Sequence, residues 1–225
     1  TRLHKPWLDG HPRIIFVSDM ADALSEKIPF DYLETEIVAG AESAEGQRHI
    51  WLWLTKRPVR MVRFARWLEE LGGTWPTNLW PGTSITTTKT LARIRYLEQV
   101  GDDRTGRFLS VEPQWEDIDL SEHLDAVDWV IQGGESGLQA TPFELDWARS
   151  LLDHCRAAGV PFFLKQLGQC PAEGGQPLTL TDTHGGSWSE WPKDLRIRET
   201  PAFGEWLPGT EAAGGTPGVV LPVLT

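Results

Sequence analysis

The chain has 225 residues, 40% of them hydrophobic and 24% charged, with a formal net charge of −11. These values suit one globular domain with a full core, and the acidic balance disfavours a broad electrostatic grip on duplex nucleic acid, though not a local basic pocket. No apolar run nears the roughly 20 residues that span a bilayer, and no signal peptide opens the chain. Two cysteines, Cys155 and Cys170, make no disulfide framework, so a reducing cytoplasm is expected.

Strand and helix patterns alternate along the chain. Arg13–Ser18 (RIIFVS) predicts a first strand, and a helix follows near Phe30–Ala44. His49–Thr55 (HIWLWLT) is apolar on both alternating faces, as in a strand covered on both sides. Pro58 sits where a helix tolerates proline; Met61, Phe64, Ala65, Leu68 and Leu71 recur at helical spacing, and Gly72–Gly73 ends the run. Asn78–Ile85 predicts a third strand with a helix through Leu91, Ile94 and Leu97 behind it, and Arg107–Val111 and Val127–Gln132 predict the fourth and fifth. Thr141–Pro142–Phe143–Glu144 reads as a capping box opening a helix that runs to Gly159, and Pro161–Lys165 predicts the sixth strand. Beyond Gly168 periodicity fades. The expected organisation is one domain over residues 1–199 and a Pro/Gly-rich tail over 200–225.

Strands separated by helical segments imply right-handed parallel crossovers in an α/β fold. An open sheet and a (β/α) barrel both satisfy this pattern. Polar residues at the strand ends favour the barrel, because a barrel brings such ends to one mouth. Asp19 follows the first strand, Lys56 and Arg57 the second, Thr83 and Ser84 lie in the third, Glu112 follows the fourth, Glu135 the fifth, and Lys165 and Gln166 close the sixth.

Lys56 and Arg57 are either solvated loop charges or an anion site, for which arginine supplies a planar donor fork and lysine a point charge. Glu112, before Pro113, either accepts internal hydrogen bonds or takes part in chemistry. Gly133–Gly134–Glu135–Ser136–Gly137 is at least a tight loop whose glycines permit close backbone approach to a ligand; it has neither Walker nor dinucleotide spacing. Lys165–Gln166 ends an apolar strand abruptly in two long polar groups. Cys155 reads as core, and the scattered histidines form no zinc motif, so no metal is assigned to this chain's residues. His184–Arg198 is either a loop packing Trp188 and Trp191 onto the fold or a lid bringing His184 to the strand ends.

In order, RIIFVSDMADAL, WLTKRP, GTSITT, SVEP, DWVIQGGESG, AGVPFFLKQLG and THGGSWSEWPKDLRIRE resemble an uncharacterised phage-type family labelled after phage gene products thirty-seven and sixty-eight, over Arg13 to Glu199. The resemblance implies a radical S-adenosylmethionine-like barrel. It also implies, for full-length relatives, an N-terminal strand followed by a cysteine triplet holding a [4Fe–4S] cluster. No cysteine precedes Cys155 here, so this chain is expected to lack that first strand and to hold no cluster through the triplet; Thr1 in place of methionine suggests an earlier segment. Gly133–Gly134–Glu135 is not equated with the glycine–glycine–glutamate motif of radical enzymes, which follows the second strand.

Three functions fit the sequence. The first is a radical-type protein acting on or binding a nucleotide, nucleic acid or other anionic substrate. In it Glu112, Glu135 and Lys165 are the catalytic candidates; Asp19, Lys56, Arg57, Ser84, Gln166 and His184 bind the substrate or its anion; and Gly133 and Gly134 approach the cofactor. The second is a non-catalytic binding partner that kept the barrel. The third is a glycosidase-like barrel using Glu112 and Glu135 as its carboxylate pair.

Overall fold

The computed structural model describes residues 11–17 and 22–203. Its principal elements are β1 (Ile14–Val17), α1 (Phe30–Leu33), a π-helical turn (Glu34–Val38), α2 (Ala39–Glu42), β2 (Ile50–Thr55), α3 (Pro58–Glu70), β3 (Leu79–Ser84), a 3₁₀ segment (Thr88–Arg93), α4 (Ile94–Leu97), β4 (Phe108–Val111) and β5 (Trp129–Gly133). Then come β6 (Phe143–Glu144), α5 (Leu145–Ala158), β7 (Phe162–Gln166), β8 (Pro171–Glu173) and β9 (Gln176–Pro177). This is an α/β fold on a six-stranded, all-parallel sheet, with strands hydrogen-bonded in the order β1-β2-β3-β4-β5-β7. The six strands are the six expected from the sequence, in chain order. None of the described helices is long and apolar enough to cross a membrane.

The chain divides into two compact units: Thr1–Gly82 with Tyr96–Gly106 and Ala202–Thr225, and Thr83–Arg95 with Arg107–Pro201. In the first, β1 and β2 pair in register from Ile14↔Ile50 to Val17↔Trp53. The α3 stripe anticipated from sequence buries Met61, Phe64, Ala65 and Leu68, with Pro58 opening the helix. Trp53 stacks on Trp75 with ring centroids 5.7 Å apart and meets Phe64 edge-on at 5.5 Å. Arg60 lies on the same helix but is buried, because Glu26 and the Ile28 carbonyl accept from its guanidinium. Phe203 packs against Trp80 at 5.3 Å. Without a preceding strand, the edge beside β1 is expected to be open or covered by Thr1–Gly10 or by the C-terminal tail; Thr1–Gly10 and residues 204–225 lie outside the described residues.

In the second unit β4 pairs with β5, and β5 with β7. The other edge of β7 is covered by the chain near Arg198: Leu164 donates to Ile197 and Glu199 to Phe162. This satisfies an edge that would otherwise offer unpaired backbone groups. Helix α5 buries Leu145, Ala148, Leu151, Leu152 and Cys155 and ends at Gly159 in the left-handed conformation (φ 71°), as its sequence predicts.

Two local expectations are corrected. The helix does not begin at Pro142. Phe143–Glu144 is instead extended and pairs with Pro171–Ala172, so α5 starts at Leu145; backbone pairing in a three-stranded sheet (β6-β8-β9) overrides the capping-box pattern. The helix expected through Leu91, Ile94 and Leu97 is a 3₁₀ segment capped by Thr87 and Thr90, followed by a single α-turn at Ile94–Leu97.

Candidate functional site

At the strand ends of the second unit, Lys165 and Gln166 converge on the carboxylate of Glu112, while Glu135 bonds Trp115 and Thr141 instead. Glu112 directly follows β4, and its peptide bond to Pro113 is cis. Lys165 Nζ lies 3.1 Å from both Glu112 oxygens. Gln166 Nε2 donates to Glu112 Oε1 at 3.0 Å and also to the Gly134 carbonyl. In a regular strand consecutive side chains point to opposite faces, so Lys165 and Gln166 should diverge. The β5–β7 register shifts between Gln132↔Leu164 and Gly133↔Gln166, leaving Lys165 as the extra residue. That irregularity re-aims the strand end and lets both long side chains reach the same carboxylate.

The glycines of β5 make room for this contact. A Cβ on Gly133 would stand 3.0 Å from Gln166 Nε2 and 3.2 Å from the Glu112 carboxyl carbon. One on Gly134 would meet the Leu167 carbonyl oxygen at 2.5 Å. Both glycines, read from sequence as points of cofactor approach, are thus positions where the protein's own groups come close. The ion pair is partly buried, its side chains 28% and 19% exposed, so water screens it only in part.

Around the pair, side-chain amides are fixed by their partners. Gln132 donates to Gln114 Oε1, and Gln114 donates to the Glu116 carbonyl at 2.8 Å. The Trp115 main chain donates to Thr86, and its indole donates to Glu135 Oε2 at 3.2 Å. Glu135 Oε2 also accepts from the Thr141 backbone at 2.9 Å. The Thr141 N–H, with the indole adding to it, holds the Glu135 carboxyl below the usual carboxylate range. A general acid of a glycosidase needs the opposite shift.

His184 is exposed, its backbone donating to Asp182 at 3.0 Å. The adjacent Gly185 carbonyl accepts from Leu167 N–H at 2.9 Å and from the Trp191 indole at 2.8 Å. The turn is therefore seated on the segment just past Gln166, with Trp191 buried beneath it. Among the described residues no hydrogen bond joins the His184 ring to Lys165 or Glu135. Trp188 packs on Arg198, whose guanidinium carbon lies 5.0 Å from its ring. Ser84 is buried, and its carbonyl accepts from Arg93 at 2.7 Å.

In the first unit, Thr55 closes β2 and donates to Asp22, whose carboxylate also accepts from the Lys56 and Leu24 backbones. The side chains of Lys56 and Arg57 are exposed and have no partner among the described residues. They immediately precede Pro58, at the positive end of a 13-residue helix. Asp19 lies outside the described residues. This unit also holds a cavity of about 350 Å³ lined by Glu42, Glu69, Trp75, Asn78, Asp102 and Arg104, among others. The cavity adjoins Asn78, the residue before β3, on the N-terminal side of that strand. Arg104 is engaged by Asp102, so the lining is acidic and suits no anion.

Sequence reading missed Asp22, Gln114, Trp115 and Gln132. Gln114 and Trp115 directly follow Glu112–Pro113, and that adjacency was the available signal; Gln132 looked like an ordinary final strand residue. Asp22 lies inside the RIIFVSDMADAL motif, but its bond with Thr55 forms only in three dimensions.

A parallel α/β sheet with polar residues at its strand C-terminal ends defines the class. Residues 1–211 match the family described as "Protein of unknown function (DUF5131)", and the chain belongs to that family. No curated protein and no solved structure matches it.

Proposed function

We propose that this protein is a radical S-adenosylmethionine-type barrel protein that acts on or binds a nucleotide, nucleic acid or other anionic substrate at its strand C-terminal ends. One observation carries the reading: Glu112, Lys165 and Gln166 meet over Gly133 at the ends of β4, β5 and β7. In parallel α/β folds this is where ligands bind and where catalytic residues collect. The exposed Lys56 and Arg57 side chains, immediately before α3 in the first unit, support an anionic ligand as cationic groups. The barrel and the cofactor class rest on the seven sequence motifs.

The residues at hand do not suit a [4Fe–4S] cluster. Cys155 is buried in α5, and burial pushes its thiol up to about 12, far from the thiolate a cluster requires. Cys170 has no second thiol beside it, and among the described residues no group of three His, Cys, Asp or Glu side chains could hold a metal. No step is therefore routed through a cluster. The 225 residues supply binding, and the same cysteine observation favours, as the second reading, a binding protein that kept the barrel without the chemistry.

Calorimetric titration with ATP, S-adenosylmethionine and a short single-stranded oligonucleotide tests this. The proposal expects at least one anionic nucleotide ligand to bind, with a Lys56→Gln/Arg57→Gln double variant weakened roughly tenfold or more. S-adenosylmethionine binding would select the radical class over the binding-protein reading. Silence from all three ligands would remove both.

A further inference from the structure

The cavity of the first unit takes no part in the site described above. Its volume of about 350 Å³ falls at the lower end of the range for small-molecule sites, roughly 300–1,000 Å³. All of its lining residues belong to the first unit. The charged ones are Glu42, Glu69, Asp102 and Arg104, and Arg104 is spent on Asp102 at 2.8 Å. The carboxylates of Glu42 and Glu69 have no hydrogen bond or ion pair among the described residues, so two negative charges line the cavity uncompensated.

Asn78 adds an independent observation. It lines the same cavity yet is only 4% exposed. Its Nδ2 donates to the carbonyls of Ala41, Gly46 and His49, which fixes the carboxamide, because a flipped oxygen would face three acceptors. Its main-chain carbonyl accepts from the Trp51 N–H at 2.8 Å. Oδ1 is therefore the acceptor left over. It has no donor among the described residues and, unlike Gln166 Oε1, is not sealed from solvent. Acceptors in such buried residues are nearly always paired, so this one calls for a donor from the cavity side.

Trp75 supplies an apolar wall. It is held by stacking on Trp53 and by its indole bond to the Leu79 carbonyl at 2.6 Å, so the wall is ordered before any ligand arrives. Two free carboxylates and an unpaired amide oxygen all call for a donor, and the charge calls for a cation. Among the described residues no three His, Cys, Asp or Glu side chains gather closely enough to hold a metal ion, so the negative charge is spread around the cavity rather than focused on a point.

We propose that this cavity binds a linear polyamine, with ammonium groups on Glu42 and Glu69, the methylene chain along Trp75 and one N–H given to Asn78 Oδ1. The net charge of −11 favours the approach of such a cation. The inference is independent of the anionic-ligand reading, which concerns other residues.

Calorimetric titration of the whole chain with spermidine, butylamine, magnesium chloride and tetralysine at physiological ionic strength tests this. Spermidine should bind about tenfold more tightly than butylamine, which can satisfy only one carboxylate. Glu42→Gln and Glu69→Gln should each weaken spermidine about two- to fivefold, the range for one exposed ion pair, and the double variant about tenfold. Glu70→Gln removes an exposed carboxylate from the same helix that does not line the cavity, and should leave binding unchanged. Circular dichroism melts verify that the variants fold. Absence of spermidine binding, or equal affinity for spermidine and butylamine, overturns the site. Equal losses from Glu69→Gln and Glu70→Gln reduce it to diffuse attraction and overturn it as well. Magnesium that displaces spermidine with the same dependence on Glu42 and Glu69 overturns the polyamine in favour of a divalent cation. Tetralysine binding more tightly than spermidine with that dependence overturns it in favour of a basic segment of a partner protein. Each of these failures leaves the anionic-ligand reading standing.

Discussion

Lys165 and Glu112 are 53 residues apart in sequence and belong to strands separated by β5, yet Lys165 Nζ sits 3.1 Å from both Glu112 oxygens. The pair spans β5 at a glycine, and Gln166 holds the same carboxylate from the neighbouring position. A partly buried pair of this kind is expected to couple more strongly than a surface one. A double-mutant cycle with Glu112→Gln and Lys165→Met in urea should give a coupling of about 1–2 kcal/mol. Strict additivity would mean that the contact contributes nothing to the fold.

The two glycines at the end of β5 should respond differently to a methyl group. At Gly134 the added Cβ meets a backbone carbonyl at 2.5 Å, which cannot move without the chain, so Gly134→Ala should destabilise by about 1–3 kcal/mol. At Gly133 it meets only the ends of Gln166 and Glu112, which can swing away. Gly133→Ala should therefore lose less stability but more ligand affinity. Thermal melts beside binding titrations of the two variants separate these outcomes; the reverse ranking would contradict the packing described.

The six strands were legible because most are apolar, β-rich runs bounded by turn residues, β3 (LWPGTS) being the exception. The polar strand ends stood out because Glu112 and Lys165–Gln166 break such runs abruptly. The joint contact of Lys165 and Gln166 with Glu112 was not legible, because it depends on a register shift set by the pairing of β5 with β7. The start of α5 was misread for a related reason: local capping at Thr141 competes with long-range pairing of Phe143 and Pro171. The two acceptors of the Gln166 amide, Glu112 and the Gly134 carbonyl, likewise meet it only after folding.

His49 provides a pH dependence remote from the site. It is buried at the start of β2, and its Nδ1 accepts from the Arg13 backbone at 3.2 Å. Burial first, then the positive charges of Arg48 and Arg13, lowers its pKa from 6.5 to about 4. The native state thus keeps His49 neutral where the unfolded chain takes up a proton. Stability is full above about pH 6.5 and is lost as pH falls towards 4, at up to about 1.4 kcal/mol per pH unit from this group. His49→Asn, which retains an acceptor for Arg13, should flatten the urea-midpoint profile across that window. An unchanged acid slope in the variant would assign the loss to carboxylates instead.

The Trp188–Arg198 contact and the buried Trp191 give the His184 turn a packing role, which makes a separable prediction. Trp191→Ala should cost about 3–5 kcal/mol as a large buried side chain, with its Gly185 hydrogen bond lost as well. His184→Ala should leave the melting temperature unchanged. If it also leaves nucleotide binding unchanged, the turn only packs; weakened binding at constant stability would make it a lid.

Backbone amide shifts recorded during titration of isotope-labelled protein with ATP test most directly whether the strand ends of the second unit are the binding site. The account predicts that perturbations concentrate at Glu112–Trp115, Gly133–Glu135 and Lys165–Gly168, together with Lys56–Arg57. Perturbations confined to Glu42, Trp75, Asn78 and Asp102, around the 350 Å³ cavity of the first unit, would contradict it.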